Sequence, residues 1–232
     1  MRIGIIGASG NFGKRVLAEA LNRGHQVTAF SRDPSRVSAD KTGITWKAVD
    51  VLDSDSIANA IGGLDVLISC YGPGSAARDS KDAVEQAVAN PEAYVTAAKS
   101  LIKALESHAS LRLIVVGGAG SLEVDPGLQL VDSPGYLATM KARGMDERYR
   151  VVVLAHRDAL NIYRTSNRNW TYLSPAMQNF AGERTGRFRV GGNRLMADAE
   201  GKTRISYEDI AVALIDEVES PRHIEKRFCV AY

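Results

Sequence analysis

The stretch Arg2-Ile3-Gly4-Ile5-Ile6-Gly7-Ala8-Ser9-Gly10-Asn11-Phe12-Gly13 decides how the rest of the chain is interpreted. Its first five residues form an apolar, β-prone run, a glycine-rich segment follows at once, and Lys14 to Arg23 continues as a helix-like stretch. A strand, a glycine turn and a helix in this order predict a site for a pyrophosphate. The turn brings the backbone close to the anion, and the helix N-terminus offers free N–H groups.

Three glycines of this turn meet separate demands. Gly7 can adopt the positive φ of a tight turn, Gly10 places no Cβ against a phosphate, and Gly13 lets the helix pack closely on the strand. An ordinary turn without a ligand is the alternative. The predicted cofactor contacts in this segment are Gly7, Ser9, Gly10, Asn11, Phe12 and Gly13.

Composition limits the classes of protein to consider. The chain has 232 residues, 45% of them hydrophobic, so we expect one domain over 1–232 with a sizeable core. Its 29 basic and 27 acidic residues are interspersed, which gives no reason to expect a nucleic acid or a membrane as a partner. No apolar run could span a bilayer and no signal peptide precedes the first strand, so we expect a cytoplasmic protein.

Cysteine and histidine usage argues against metal and disulfide chemistry. The two cysteines, Cys70 and Cys229, belong to apolar runs, and four histidines are scattered without metal-ligand spacing. We therefore predict no metal.

Apolar, strand-like runs alternate with helix-like stretches along the chain. After the first unit, strands are predicted at 26–30, 44–49, 64–70, 111–116, 169–173 and 227–232. The run 64–70 is apolar nearly throughout, which is typical of a strand buried on both faces. This alternation predicts an α/β fold: a Rossmann-type doubly wound parallel sheet with a small C-terminal substrate-side region.

The second strand ends in Ser31-Arg32-Asp33-Pro34, where a fold of this type meets the adenosine ribose. An acidic residue there binds the 2′-hydroxyl of NAD, whereas an arginine accommodates the 2′-phosphate of NADP. Ser31 and Arg32 favour NADP(H), and NAD(H) is possible if Asp33 governs the ribose. Asp33 is better explained as the N-cap of a turn opened by Pro34, and a plain surface charge is the alternative for Arg32.

Residues after the third and fourth strands are further candidates. Asp50 follows the third strand near the expected adenine, or else it satisfies backbone N–H groups of its own loop. Loops at the carboxyl ends of central strands lie at the ligand crevice. We therefore predict that Cys70, Tyr71 and Gly72 border the cofactor.

The segments 122–143 and 177–206 are predicted to form the substrate-side wall. The first is rich in loop signals, and the second contains Arg187 to Met196, a pattern that predicts a hairpin about a glycine-asparagine turn. Residues 121–140 with Tyr71, Met177 and Phe180 offer an apolar, partly aromatic surface suited to a planar ligand, or else to plain core packing.

The motifs Gly7 to Gly13, Arg32, Asp50-Val51, Val116 to Leu122 and Leu173 to Ala176 together carry a family likeness. The chain resembles the NAD(P)H-binding, NmrA-like branch of the atypical short-chain dehydrogenase/reductases. Within it, the chain is most similar to small proteins often called NADH-flavin reductases and more distantly to biliverdin reductase B. The resemblance implies NADPH lying across the strand ends. The further contacts that it implies are Val51, Tyr71, Gly117, Gly118, Ser174, Pro175 and Ala176.

The chain departs from this family in its proton donor. Standard members use a Tyr-x-x-x-Lys pair, in which the lysine lowers the tyrosine pKa, and no such pair occurs here. The family's lysine position, nineteen residues before Pro175, is His156, and the tyrosine position is Val152. With a pKa near neutrality, His156 could bond the nicotinamide ribose or donate a proton, or else it only packs. Ser121 resembles the serine that orients the substrate carbonyl, or else it caps a turn beside Gly120.

These features predict a reductase that passes hydride to a planar small-molecule acceptor, a flavin or a quinone. Such an acceptor can be protonated from water, so the protein must supply mainly binding and orientation. One alternative is a non-catalytic, NADP(H)-sensing regulatory protein of the NmrA type, which the missing tyrosine favours. Another is a nucleotide-sugar epimerase-like enzyme, which the missing tyrosine and a short C-terminal region weaken. We expect a monomer or a homodimer.

Overall fold

The computed structural model describes residues 1–36, 43–73 and 80–232. Within these ranges the strands are β1 Arg2–Ile6, β2 Gln26–Ser31, β3 Ile44–Ala48, β4 Val66–Ser69, β5 Arg112–Val116, β6 Glu123–Asp125, β7 Leu128–Gln129, β8 Trp170–Pro175, β9 Gln178–Phe180, β10 Arg189–Gly191, β11 Arg204–Ser206 and β12 Lys226–Ala231. The helices are α1 Asn11–Asn22, α2 Ser54–Ala60, α3 Ser80–Ala89, α4 Glu92–Ala104, α5 Tyr136–Ala142, α6 Arg150–Arg164 and α7 Tyr207–Glu219. Short 3-10 turns lie at Pro34–Arg36, Leu105–Ser107, Leu130–Asp132 and Glu147–Tyr149.

Eight strands form one sheet in the order β10-β12-β8-β5-β4-β1-β2-β3. Neighbouring strands are parallel except β10 and β12, which run antiparallel. Since β1 pairs with β2 on one side and with β4 on the other, the strand order reverses at β1. The predicted Rossmann-type, doubly wound fold is confirmed. In such a sheet, ligands bind beyond the carboxyl ends of the strands at this reversal.

Helices cover both faces of the sheet and create two cores. On one face α1 and α7 pack through residues such as Leu17 and Leu214. On the other face α2, α4 and α6 pack through residues such as Leu101 and Leu160. All four residues of β4 are buried, as its continuous apolar run predicts.

The segment 122–143 is more regular than its loop signals suggest. It forms the small β6–β7 pair, a 3-10 turn and α5. Its apolar residues Leu130, Val131, Tyr136 and Met140 make a third buried cluster beside the main sheet. The predicted wall therefore has its own core, which fixes its shape.

The predicted hairpin over Arg187 to Met196 is wrong. β10 pairs with the terminal strand, with Arg189 opposite Ala231 and Gly191 opposite Cys229. The carbonyl of Asn193 accepts a hydrogen bond from the Glu123 N–H at 2.8 Å. A local hairpin would leave the buried strand β12 with an open edge, whereas β10 covers that edge and satisfies its backbone groups.

A buried ion pair fastens α7 to the sheet at β5. The Arg112 guanidinium donates hydrogen bonds to the carboxylate and to the carbonyl of Glu217, and both side chains are almost fully buried. His223 Nδ1 lies 2.7 Å from the other carboxylate oxygen of Glu217. These hydrogen bonds hold the pKa of Glu217 below its usual range although burial opposes the charge.

Among the helices of the described ranges, none is long and apolar enough to cross a membrane. Cys70 and Cys229 are both free thiols.

Candidate functional site

The glycine turn between β1 and α1 has a geometry that only glycine fits at two positions. Gly7 has φ +74°, and a Cβ there would lie 2.6 Å from the carbonyl oxygen of Cys70 at the end of β4. A Cβ on Gly13 would lie 2.1 Å from the carbonyl oxygen of Gly7. The turn is thus pressed against β4 on one side and against its own helix on the other.

The N-terminus of α1 is ready to receive an anion. Its N-cap is Gly10, no side-chain cap bond is found there among the described residues, and the first turn contains no acidic residue. The N–H of Lys14 bonds to the Gly10 carbonyl at 3.0 Å, which leaves the first-turn donors of Asn11, Phe12 and Gly13 for a ligand. Free donors, the positive end of the helix dipole and the absence of a Cβ at Gly10 fit a pyrophosphate.

The loop after β2 has the arrangement that the sequence predicts. Asp33 Oδ1 accepts hydrogen bonds from the Ser35 N–H at 3.1 Å and from the Ser35 hydroxyl at 2.5 Å, so Asp33 caps the following 3-10 turn. Ser31 Oγ accepts a hydrogen bond from the Asp33 N–H at 3.3 Å. Arg32 is exposed, and its charge acts on the nearby Tyr71 phenol. Arg32 is therefore open to a phosphate, while Asp33 is engaged in its own turn.

Asp50 and Val51 follow β3. The Asp50 carboxylate accepts a hydrogen bond from the Leu52 N–H at 3.0 Å, which is the loop role that the sequence leaves open. The side chain of Val51 is buried in the core. Contact of these two residues with a cofactor stays a prediction.

A cavity of about 750 Å³ opens beyond the carboxyl ends of β4, β5 and β8. Apolar and aromatic side chains make up most of its wall. The structure brings together there the predicted residues Phe12, Cys70, Tyr71, Gly72, Gly117, Gly118, His156, Pro175 and Ala176. Leu130, Tyr136, Met140 and Met177 of the predicted wall also line it.

His156 lies on α6 at the inner side of this cavity. Its ring contacts the Tyr94 ring at an interplanar angle of 43°, with 4.0 Å between the ring centroids, and a Cβ added to Gly118 would lie 3.5 Å from it. Burial among apolar groups lowers the pKa of His156 to about 4, so the expected pKa near neutrality is wrong. At neutral pH the side chain is an uncharged imidazole that can donate one hydrogen bond but is no imidazolium acid.

Four tyrosines line the same cavity: Tyr71, Tyr94, Tyr136 and Tyr149. Burial is the main cause that raises the pKa of each phenol above its usual range. The lysine of the standard pair would have the opposite effect. Each of these phenols is therefore a hydrogen-bond donor at neutral pH rather than a tyrosinate base.

Several predicted residues do not lie on the cavity wall, among them Ser121, Ser174 and Phe180. Ser121 is buried, and its Oγ accepts a hydrogen bond from Arg227 Nη1 at 2.9 Å, so the geometry does not support a substrate-orienting role. Ser174 is fully buried in β8, and Phe180 packs edge-to-face on Tyr232 with 6.3 Å between centroids. The planar surface predicted to include Phe180 is thus formed without it.

One side of the cavity is not predicted from the sequence. Residues of α3 and of the stretch 144–149 line it, together with Tyr94. Tyr94 has the apolar helical spacing of a core residue, and this spacing gives no sign that it also lines a cavity. The residues of 144–149 carry no motif, and only the packing of α3 against the Glu147–Tyr149 turn brings them to the site.

The arrangement defines a class of protein: a Rossmann-type domain with a glycine-rich turn suited to a dinucleotide and a mainly apolar cavity at the carboxyl ends of its central strands. Residues 7–221 match the NAD(P)H-binding family. A Burkholderia pseudomallei protein provisionally named an exported protein is 40% identical, with full coverage of both chains and a TM-score of 0.81.

Two further solved structures cover the whole chain. A Bacteroides thetaiotaomicron protein provisionally named an epimerase is 33% identical over 96% of its own chain, with a TM-score of 0.81. A Streptococcus pneumoniae TIGR4 protein provisionally named an NADH-flavin reductase is 29% identical over 99% of its chain, with a TM-score of 0.77. The chain therefore belongs to the NAD(P)H-binding family, as an atypical, NmrA-like short-chain dehydrogenase/reductase.

Proposed function

We propose that the chain is an NADPH-dependent reductase that transfers hydride to a planar acceptor, a flavin or a quinone. The observation that carries this proposal is the cavity of about 750 Å³, whose wall combines four tyrosines with aliphatic and methionine side chains. Its volume suits a drug-sized aromatic ligand, and flat apolar walls favour flat apolar rings. It also adjoins the glycine turn through Phe12.

The residues that would hold the cofactor lie at four strand ends, those of β1, β2, β5 and β8. The first turn of α1 would bind the pyrophosphate, Arg32 the 2′-phosphate, and the loops at Gly117 and Pro175 would border the nicotinamide. When bound, the reduced nicotinamide supplies a hydride. Only glycine fits at position 117, because a Cβ there would lie 1.9 Å from the Tyr172 ring.

The chain's own side chains provide binding and exclusion of water rather than strong acid catalysis. The neutral imidazole of His156 and the protonated phenol of Tyr94 contact each other on one side of the cavity, where they can orient a ring and donate hydrogen bonds. No described group at the cavity has the lowered tyrosine pKa that ketone reduction needs in standard members. Flavins and quinones can take their proton from solvent, so this absence does not impede their reduction.

The test is oxidation of NADPH and of NADH with FMN, FAD and a simple quinone, followed by absorbance of the reduced nicotinamide. We expect acceptor-dependent turnover with NADPH. The variant Val84→Trp fills the cavity from α3 and should lower kcat/KM for the acceptor about tenfold or more while NADPH still binds. Val151→Trp is the matched control, since Val151 is 43% exposed on α6 and does not line the cavity. Tight NADPH binding with no turnover for any acceptor would contradict the proposal.

Cofactor preference is tested by Arg32→Gln. Loss of one charge-assisted contact should weaken NADPH binding about tenfold and leave NADH binding nearly unchanged. Equal losses for both cofactors would show that Arg32 does not bind the 2′-phosphate.

Two other functions have specific support. The raised tyrosine pKa values and the absence of a Tyr-x-x-x-Lys pair favour a sensor that binds NADP(H) without turnover. The Bacteroides relative's name favours an epimerase, but the missing Tyr-x-x-x-Lys pair weakens this alternative. Binding without turnover would support the sensor, and isomerisation of a nucleotide sugar at constant NADP would support the epimerase.

We also propose that the protein is cytoplasmic and that it is a monomer or a homodimer. Two free thiols suit a reducing compartment, whereas the Burkholderia relative's name points to export. Fractionation of the native cells and light scattering of the purified chain would decide these two points.

A further inference from the structure

The mouth of the cavity is charged although its interior is apolar. Four charged side chains line the cavity there. They are Lys81 and Glu85 of α3, and Arg143 and Asp146 between α5 and α6. These two chain segments lie side by side, because α3 packs against the Glu147–Tyr149 turn. Lys81 and Arg143 line the cavity and are also exposed, so their charges lie on its solvent side, where a substituent of a bound ring would emerge.

The two carboxylates at the mouth are already engaged with one arginine. Arg148 Nη2 lies 2.8 Å from Glu85 Oε1 and 2.5 Å from Asp146 Oδ2, and its Nε lies 2.9 Å from the same Asp146 oxygen. This arginine also holds the pKa of Asp146 below its usual range. Both carboxylates are thus directed at Arg148 rather than at the opening.

The two cations at the mouth lack such a partner. Neither Lys81 nor Arg143 forms an ion pair with a carboxylate in the ranges that the structure describes, and both are exposed. Lys81, Arg143 and Arg148 carry three positive charges, and Glu85 and Asp146 carry two negative ones, so this group of five side chains has a net charge of +1. Lys81 and Arg143 offer donors of two kinds, an ammonium and a guanidinium.

We propose that the acceptor of this site carries an anionic group, a phosphate or a carboxylate, which Lys81 and Arg143 bind while the ring system lies in the apolar interior. This inference rests on the proposed reductase function and narrows its substrate class. An ammonium and a guanidinium together match a phosphate monoester, because guanidinium donors pair with two oxygens and the ammonium adds a point charge. FMN is such an acceptor, and riboflavin is the same ring without the phosphate.

The experiment compares FMN and riboflavin on the NADP-loaded protein by quenching of flavin fluorescence. We expect FMN to bind about tenfold more tightly than riboflavin, and this ratio to fall towards one in the double variant Lys81→Gln, Arg143→Gln. Added salt should weaken FMN binding and leave riboflavin binding nearly unchanged. Lys141→Gln is the matched control, because Lys141 is an exposed cation of α5 that does not line the cavity.

Several outcomes would overturn the inference. The inference fails if FMN and riboflavin bind with equal affinity, or if neither flavin binds measurably. It also fails if Lys141→Gln loses as much FMN affinity as the double variant. A rise of the NADPH Kd in the double variant, with unchanged flavin discrimination, would assign the two cations to the cofactor instead.

Turnover with an uncharged quinone separates this inference from the proposed function. In the double variant kcat/KM should fall more for FMN than for such a quinone, since the quinone has no anionic group for the two cations to bind. If the wild type reduces no acceptor, the reductase proposal fails, but discrimination between FMN and riboflavin at equilibrium would still support an anion site at the mouth.

Discussion

Gly13 and Gly7 show at the scale of single residues how the sequence determines the site. The contact between them is too short for any side chain on Gly13, whose Cβ would approach the Gly7 carbonyl oxygen to 2.1 Å. This kind of requirement is local in the sequence. It explains why a pattern of three glycines between a strand and a helix correctly predicts the turn.

Gly13→Ala should disturb both the turn and the cofactor. We expect a loss of about 1–3 kcal/mol in the free energy of unfolding and at least about tenfold weaker NADPH binding, because α1 must move away from β1. Denaturant unfolding and fluorescence titration measure the two effects.

The control for this variant is Gly135→Ala. Gly135 has φ −91° at the start of α5, and an added Cβ would have no neighbour within 4 Å. Wild-type NADPH affinity in Gly13→Ala would refute the role of the turn.

His156 should make stability depend on pH. Its folded pKa of about 4 lies below the unfolded value of 6.5, so the unfolded chain binds the proton more readily. Stability is therefore full above pH 6.5 and decreases as the pH falls from 6.5 towards 4, by roughly 1–3 kcal/mol after allowance for partial exposure. Unfolding of wild type and His156→Gln across this range should give curves that converge at acid pH. Parallel curves would show that the imidazole is not buried neutral.

The lowered pKa of His156 cannot be predicted from the sequence. Its position in the chain correctly predicts a place at the cavity, but the shift arises from Tyr94 and other groups that only folding brings around the ring. The place of Tyr94 and Tyr149 on the cavity wall is not predicted from the sequence for the same reason. Sequence patterns identify a residue's element, whereas burial and neighbours determine its charge.

At the scale of secondary-structure elements, α7 depends on the buried pair of Arg112 and Glu217. Glu217→Ala should lower the free energy of unfolding by about 3–5 kcal/mol, because it leaves a buried guanidinium without its carboxylate. Urea denaturation measures the loss.

Glu219→Ala, on the same helix, is the comparison for this prediction. Glu219 pairs with Arg23 but is 37% exposed, so its removal should cost less than about 1 kcal/mol. Losses of similar size in the two variants would mean that the Arg112 pair contributes no more than a surface ion pair.

The strands also show where sequence-based prediction ends. Those of the parallel sheet were predicted within about two residues, because their apolar runs and turn residues are contiguous. The pairing of β10 with β12 was not predicted. Arg189 and its partner Ala231 lie far apart along the chain, and no short-range signal specifies their pairing. The side of the cavity formed by α3 and 144–149 likewise arises from packing between distant segments.

For the whole molecule, cofactor binding should stabilise the fold as one unit. NADPH would bridge the ends of β1, β2, β4, β5 and β8, and ligand at a hundredfold excess over its Kd adds about 2.7 kcal/mol. For a domain of this size that corresponds to a rise of roughly 5–10 °C in Tm. Differential scanning calorimetry with NADPH and with NADH would show the rise, and the larger shift would identify the preferred cofactor. An unchanged Tm with saturating NADPH would contradict the prediction that the glycine turn binds this cofactor.

The three-residue strand β10 has a consequence for the behaviour of the protein in concentrated solution. It covers the outer side of β12, and the Arg189 guanidinium donates a hydrogen bond to the carbonyl of Ala197 at 2.7 Å and another to the carbonyl of Tyr232. Without β10, a buried, apolar strand would present unpaired N–H and C=O groups to any neighbouring chain. A short, charged border strand thus limits growth of the sheet from one molecule into the next and protects the protein against aggregation.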